Sequence, residues 1–346
     1  MSRSWHIRNS SATKGSQIPI YESYYSSKQM PMLNRAIHSS LTDCLKIHPR
    51  EMVLILADDP LSELAYHFYK AAKSLSNRPF LLILPEITNH RFEPPKPVAS
   101  VMAEADVIIM LTSHSLSHTN ARRRASQRGA RIASLPGVTP ESLSRTLTGN
   151  YKTLINKSRK LADILTIGRS AHLTTPAGTD LTFSLARMRG FADTGIIHER
   201  GQFSNLPAGE GCASPVQGST HGVLIIDGSF TGMGMIKTPI RMTVKNGQVI
   251  RITGGKEAEK ARMLLRPFGK LGRNIAEIGI GTNPKAKLTG CTLEDEKVLG
   301  TVHVALGNNV SFGGKVSVGC HFDGVLLTPT LVIDGKTILE NGTLQV

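Results

Sequence analysis

The chain has 346 residues, 40% hydrophobic and 19% charged, which is ample for two domains with separate cores. No apolar run reaches the roughly 18–20 residues of a membrane span, and no apolar stretch follows the basic start, as a secretory signal requires. Formal net charge is +15, yet lysine and arginine are scattered and aromatics make up only 5%, so a nucleic-acid function is not expected.

Residues 1–30 are polar, Ser-rich and acid-poor, and read as a flexible arm that contacts a partner subunit. Residues 31–165 alternate short apolar runs with helical patterns. The runs are Met52–Leu56, Phe80–Leu84, Val107–Leu111 and Arg131–Leu135. Nearly continuous apolar strands suit a mostly parallel sheet covered on both faces, so this is an α/β domain. Helices are predicted over Ser62–Ser74 and Thr119–Arg128, the latter with Ser117 as N-cap. The first strand leads into Ala57-Asp58-Asp59-Pro60. That loop has no glycine and therefore neither a dinucleotide fingerprint nor a P-loop. The third strand ends in the polar loop Thr112–Thr119, which carries His114 and His118. Ligands collect beyond the carboxyl ends of such strands.

Residues 166–346 are Gly-rich and read as a β-rich α+β, metal-binding catalytic domain, entered through a helix over Tyr151–Leu161. Strands are predicted at Gly222–Asp227, Ile240–Lys245, Val249–Thr253, Val298–Ala305 and Val325–Ile333, with a helix at Lys256–Leu265. Asn246-Gly247 and Asp334-Gly335 are hairpin turns. Cys44, Cys212, Cys291 and Cys320 form no C-x-x-C pair. They read as reduced thiols in a cytoplasmic protein, with Cys212 and Cys320 as small apolar fillers.

The chemistry concentrates in this second half. Glu210 follows a Pro-Gly loop, Glu277 stands among small and apolar residues, and His303 lies inside an apolar strand. His321 and Asp323, two apart, share one face of an extended strand. Carboxylates and imidazoles drawn from such segments suit one or two divalent metals, because buried carboxylates need pairing or a metal. Each residue also has a plainer role: a loop or surface carboxylate, a hydrogen-bonded core histidine, a turn pair. Glu294-Asp295-Glu296-Lys297 reads as a mainly solvated charged turn, whose members could also support the ligands from behind.

These motifs resemble the thermophilic aminopeptidases (aminopeptidase T, peptidase family M29). The resemblance is carried by Asn205–Glu210, Glu277–Pro284, Asp295–Lys297, Gly300–Gly307 and His321–Asp323. It implies a homodimeric hydrolase that activates water on a peptide or amide bond of a small substrate. Glu210, Glu277, His303, His321 and Asp323 would then ligate Zn, Co or Mn, with Glu277 bridging. Their donor atoms would converge on one point or on two about 3.5–4 Å apart. One departure stands out. Family peptidases have a tyrosine seven residues after the strand histidine, where this chain has Val310. Metal binding is expected to survive that change and cleavage of Leu-p-nitroanilide to be poor. The same fold serves iron-dependent 2,5-dihydroxypyridine dioxygenases, which resemble a version with one metal held by two histidines and a carboxylate. One of those histidines corresponds to Glu277, and His118 matches the place of that branch's active-site base. The alternative expectation is thus a small-molecule metalloenzyme using Fe(II), either a ring-cleaving dioxygenase or a biosynthetic enzyme.

Overall fold

The structure, a computed structural model, describes residues 30–89, 92–147 and 151–346. The expected arm before Met30 lies outside the described residues. Among those described, no helix is long and apolar enough to cross a membrane.

The expected parallel sheet is present. Its strands Met52–Asp58, Arg78–Leu84, Val107–Leu111 and Arg131–Ser134 lie in the spatial order second, first, third, fourth. Continuous apolar sequence is explained by burial on both faces. Val53, Ile55 and Ala57 pack with Leu33, Ile37 and Phe68 on one side. Leu54 and Leu56 pack with Met102, Leu116 and Ala125 on the other. A fifth parallel strand, Phe203–Asn205, joins Arg131–Ser134 from far along the chain.

Strand order reverses between the first and third strands, which opens a crevice at their carboxyl ends. Asp58 ends the first strand there. Both its carboxylate oxygens accept from the Ser113 N–H at 3.0 Å, and one accepts from Ile87 N–H at 3.1 Å. The loop bearing His118 is thereby tied to the sheet. Thr119, not Ser117, caps the following helix Asn120–Gln127, accepting from Arg122 N–H at 3.2 Å. Ser117 instead pairs with the Ser134 hydroxyl at 3.2 Å, and its carbonyl accepts from Arg122 Nε at 2.7 Å.

Helix Tyr151–Ile167 leads into an eight-stranded and a seven-stranded antiparallel sheet. Ile226, Phe230, Ile278, Ile280, Val302, Val304 and Phe322 belong to one apolar core that the two sheets share. Both predicted hairpin turns form, with positive φ at Asn246, Gly247, Asp334 and Gly335 as a type I′ turn requires. The long strand predicted at Val325–Ile333 is broken. Thr328 has φ +45° and Pro329 has no N–H to donate. His321–Leu326 therefore stays in the seven-stranded sheet while Thr330–Ile333 enters the other.

Candidate metal centre

Adjacent strands of the seven-stranded sheet carry Asp193, Glu210, Glu277, His303, and His321 with Asp323. Alternation along each strand separates site from core. Val302, Val304 and Leu306 enter the core, while His303 and Ala305 take the opposite face. The register shifts between Ile275 and Glu277, so Ile275 joins the core rather than sharing a face with the carboxylate as its spacing predicts.

Register also determines which side chains meet. Ala305 pairs with both Glu277 and Asp323, and its small side chain leaves space between the two carboxylates. Gly279 pairs with His303, and the imidazole lies over its Cα. A Cβ at Gly279 would lie 2.1 Å from His303 Nε2. Gly279→Ala is therefore expected to displace the ring and weaken divalent-metal binding by about 10–100-fold, the usual effect of disturbing a supporting contact. Metal titration of the purified variant checks this, and unchanged affinity would remove His303 from the site.

The donor atoms lie close together. His321 Nε2 is 3.0 Å from Glu277 Oε2 and 3.4 Å from Asp323 Oδ1. His303 Nε2 is 3.3 Å from Glu210 Oε2 and 3.7 Å from Glu277 Oε1. Three overlapping groups have ligating atoms within 4.8 Å: Glu210–Glu277–His303, Glu277–His321–Asp323 and Glu296–His303–Asp323. His321 Nδ1–H donates to the Asn308 carbonyl at 2.8 Å, which leaves its Nε2 lone pair for the centre.

The Glu294–Lys297 turn is not solvated. All four residues are buried, and Lys297 is fully so. Lys297 Nζ lies 2.7 Å from Glu210, 2.9 Å from Glu296 and 3.1 Å from Asp193. Glu294 pairs with Arg145, and Asp295 accepts the N–H groups of Thr289 and Gly290. The ammonium thus occupies one oxygen of Glu210, and the other has no hydrogen-bond partner.

Charge and donor chemistry fit a cation. The carboxylates of Asp193, Glu210, Glu277, Glu296 and Asp323 face a single ammonium, a formal excess of four negative charges when both imidazoles are neutral. Burial pushes the Glu296 carboxyl up to about 8, against the pull of Lys297. Burial works to lower the His303 imidazole, but Glu277 and Glu210 outweigh it and raise it to about 9. Glu296 and His303 thus favour proton uptake near neutrality, and a divalent ion bound here would release such protons. Glu210 Oε2 and His303 Nδ1 are buried without hydrogen-bond partners. The cluster is a candidate site whose donor set fits a divalent metal.

The centre opens on a cavity of about 780 Å³, whose other wall is the loop Ser113–His118 of the parallel sheet. His118 and Phe312 both lean on His321, at ring-centroid distances of 5.1 and 5.6 Å. Phe191 meets Phe312 edge-on at 5.9 Å. Burial, then the charges of His321 and Arg122, hold His118 down to about 3, so it is neutral at ordinary pH, and its Nδ1 has no partner.

A buried carboxylate–imidazole cage facing an aromatic-walled cavity defines a metal-binding enzyme on the fold shared by aminopeptidase T and the pyridine dioxygenases. The chain belongs to the NicX family of 2,5-dihydroxypyridine 5,6-dioxygenases, whose model matches residues 32–346. It is 28% identical over 258 residues to the 2,5-dihydroxypyridine 5,6-dioxygenase of Pseudomonas putida KT2440, covering 69% of this chain and 70% of that protein. The solved 2,5-dihydroxypyridine dioxygenase of that organism superposes with a TM-score of 0.76 at 21% identity, covering 90% of this chain and 96% of that one. AmpT of Thermus thermophilus superposes with a TM-score of 0.68 at 16% identity, covering 92% and 100%.

These relationships correct the hydrolase expectation. The family and the curated relative are ring-cleaving dioxygenases, not aminopeptidases or metalloproteases. Position 310 agrees with the correction: Val310 is 42% exposed, and the apolar ring of Phe312, two residues on, is what approaches His321. The valine itself has no proton to donate for peptide cleavage. Sequence reasoning also missed Asp193, Phe191 and Phe312, and it placed Lys297 in a turn read as mainly solvated. The spacing of Phe191 and Asp193 was a usable signal, since alternate strand residues share a face.

Proposed function

We propose that this chain is a metal-dependent dioxygenase that opens the ring of a small hydroxylated N-heteroaromatic. The observation that carries this reading is the pair flanking His321. A neutral imidazole whose Nδ1 has no hydrogen-bond partner and a flat apolar ring both lie against it. An aromatic alcohol needs both, a base for its hydroxyl proton and a surface for its ring plane.

Fe(II) would be held by Glu277, His321 and Asp323, with His303 beyond Glu277 and Glu210 engaged by Lys297. When bound, the ion supplies a Lewis-acidic seat for the substrate oxygen and the redox partner for O₂. His118 would take the hydroxyl proton: burial makes it a weak base, so the transfer depends on the acidity that a Lewis-acidic ion would lend the hydroxyl. Phe312 and Phe191 fix the ring plane by offset and edge contacts. The Asn308 carbonyl holds the His321 tautomer.

The test is anaerobic loading with Fe(II), then addition of 2,5-dihydroxypyridine and O₂. Ring absorbance should fall in proportion to oxygen uptake, and Leu-p-nitroanilide should release no p-nitroaniline. A ring that persists beside bound iron and O₂ would overturn the reading.

A further inference from the structure

Charge is distributed unevenly along the cavity. Its floor is the carboxylate-rich metal centre. Its rim includes Arg159, an exposed residue of helix Tyr151–Ile167 that lines the cavity and makes no ion pair among the described residues. The Arg189 guanidinium lies 5.5 Å from the Phe191 ring centroid, beside the same aromatic pair that the cavity presents. Cationic groups therefore border the aromatic surface on its solvent side, and carboxylates border it inside.

We propose that the substrate is an anionic ring, a carboxylated hydroxypyridine, whose carboxylate is received by Arg159 at the cavity mouth. The proposal rests on the ring-cleaving reading and names the substrate class within it. The argument is one of exclusion and fit. An anionic substituent directed at the floor would meet Glu210, Glu277 and Asp323. Directed outward, it meets a planar guanidinium that makes no ion pair among the described residues, whose fork matches a carboxylate in two-point contact. That polarity fixes orientation: the hydroxyl edge turns toward His118 and the metal donors, and the anion sits across the ring from the edge that reacts. Between the two ends, Phe312 offers a face to stack on and Phe191, set nearly perpendicular to it, borders the ring edge. The curated relative is named for the uncharged 2,5-dihydroxypyridine. This chain would differ from it in requiring a charge on the far side of the ring.

The experiment is anaerobic calorimetry on the Fe(II)-loaded enzyme with two probes, 2,5-dihydroxypyridine and its 3-carboxylate. In the wild type the carboxylate should bind more tightly by roughly tenfold, the size of one charge-assisted hydrogen bond. Arg159→Gln should bring the ratio of the two dissociation constants close to unity, and Arg159→Lys should leave it intermediate. Because Arg159 is exposed, its replacement does not disturb the buried face of the helix. Equal or tighter binding of the uncharged ring, a preference that survives Arg159→Gln, or no binding of either ring would each overturn the proposal. Admitting O₂ afterwards separates the two readings. A carboxylate preference that depends on Arg159, without oxygen uptake, sinks ring cleavage and leaves the anion site standing.

Discussion

Replacing Lys297 with methionine is expected to cost about 3–5 kcal/mol of folding stability, which is among the largest effects available to a single substitution. The side chain is fully buried, and its ammonium lies within 3.1 Å of three carboxylates. Methionine fills nearly the same volume, so little of the loss would come from packing. The loss comes from Glu210, Asp193 and the ionised share of Glu296, whose carboxyl stands at about 8, left without a counter-charge in a medium that solvates them poorly. Urea unfolding at neutral pH with chelator present measures it directly. A midpoint shift no larger than that of a surface substitution would mean that the carboxylates are neutral in the folded protein and that the ammonium is not their partner.

His118→Ala should slow ring cleavage by about 10²–10⁴-fold, the range that a positioned general base contributes, while iron still binds. Single-turnover kinetics beside iron analysis would separate the two effects. Loss of iron together with activity would make His118 a support for His321 rather than a base. The same residue has a pH signature. Its folded-state value is lowered from 6.5 to about 3, first by burial and then by His321 and Arg122. Unfolded chains therefore take up a proton at this position between those values and the folded protein does not. This contribution to stability is complete above the unfolded value and declines as pH falls through the window toward 3. His303 acts in the opposite sense. Its folded value is raised to about 9, so its contribution is present below 6.5 and fades as pH climbs through 9. Comparing wild type with His118→Gln isolates the first effect: the variant's melting temperature should fall less steeply below pH 6.5.

The parallel sheet was legible because its signal is local. Five or more consecutive apolar residues at Val53–Ala57 and Val107–Leu111 have one economical explanation, burial on both faces. The site strands were legible in part, since polar residues interrupt apolar runs at Glu277 and His303. Glu294–Lys297 was misread for the converse reason. Four charged residues in a row look solvated, and what buries them comes from elsewhere in the chain: Arg145, Asp193 and Glu210. Position 310 was legible as a departure from the peptidases; what spacing did not show is that the chain turns through a short helix at Val310–Phe312 and brings Phe312 to His321. The reaction class was undetermined at the level of ligands, because glutamate, aspartate and histidine serve hydrolytic and oxidative metals alike. The cavity walls carry that distinction, and they are assembled from Thr112–Thr119, Gly190–Asp193 and Val310–Phe312, segments that no local pattern brings together.

The strand Phe203–Asn205 has a consequence for biosynthesis. It completes the parallel sheet only after helix Tyr151–Ile167 and the first strands of the second half have been made. Until it arrives, Arg131–Ser134 is a raw edge with open hydrogen-bonding groups, the kind of surface that recruits other chains. A ribosome would have to hold or shield the first half through that interval. A fragment cut after residue 167 would leave Arg131–Ser134 unpaired permanently and should be recovered largely as aggregate, whereas one extended through Asn205 covers that strand with a shorter edge of three residues.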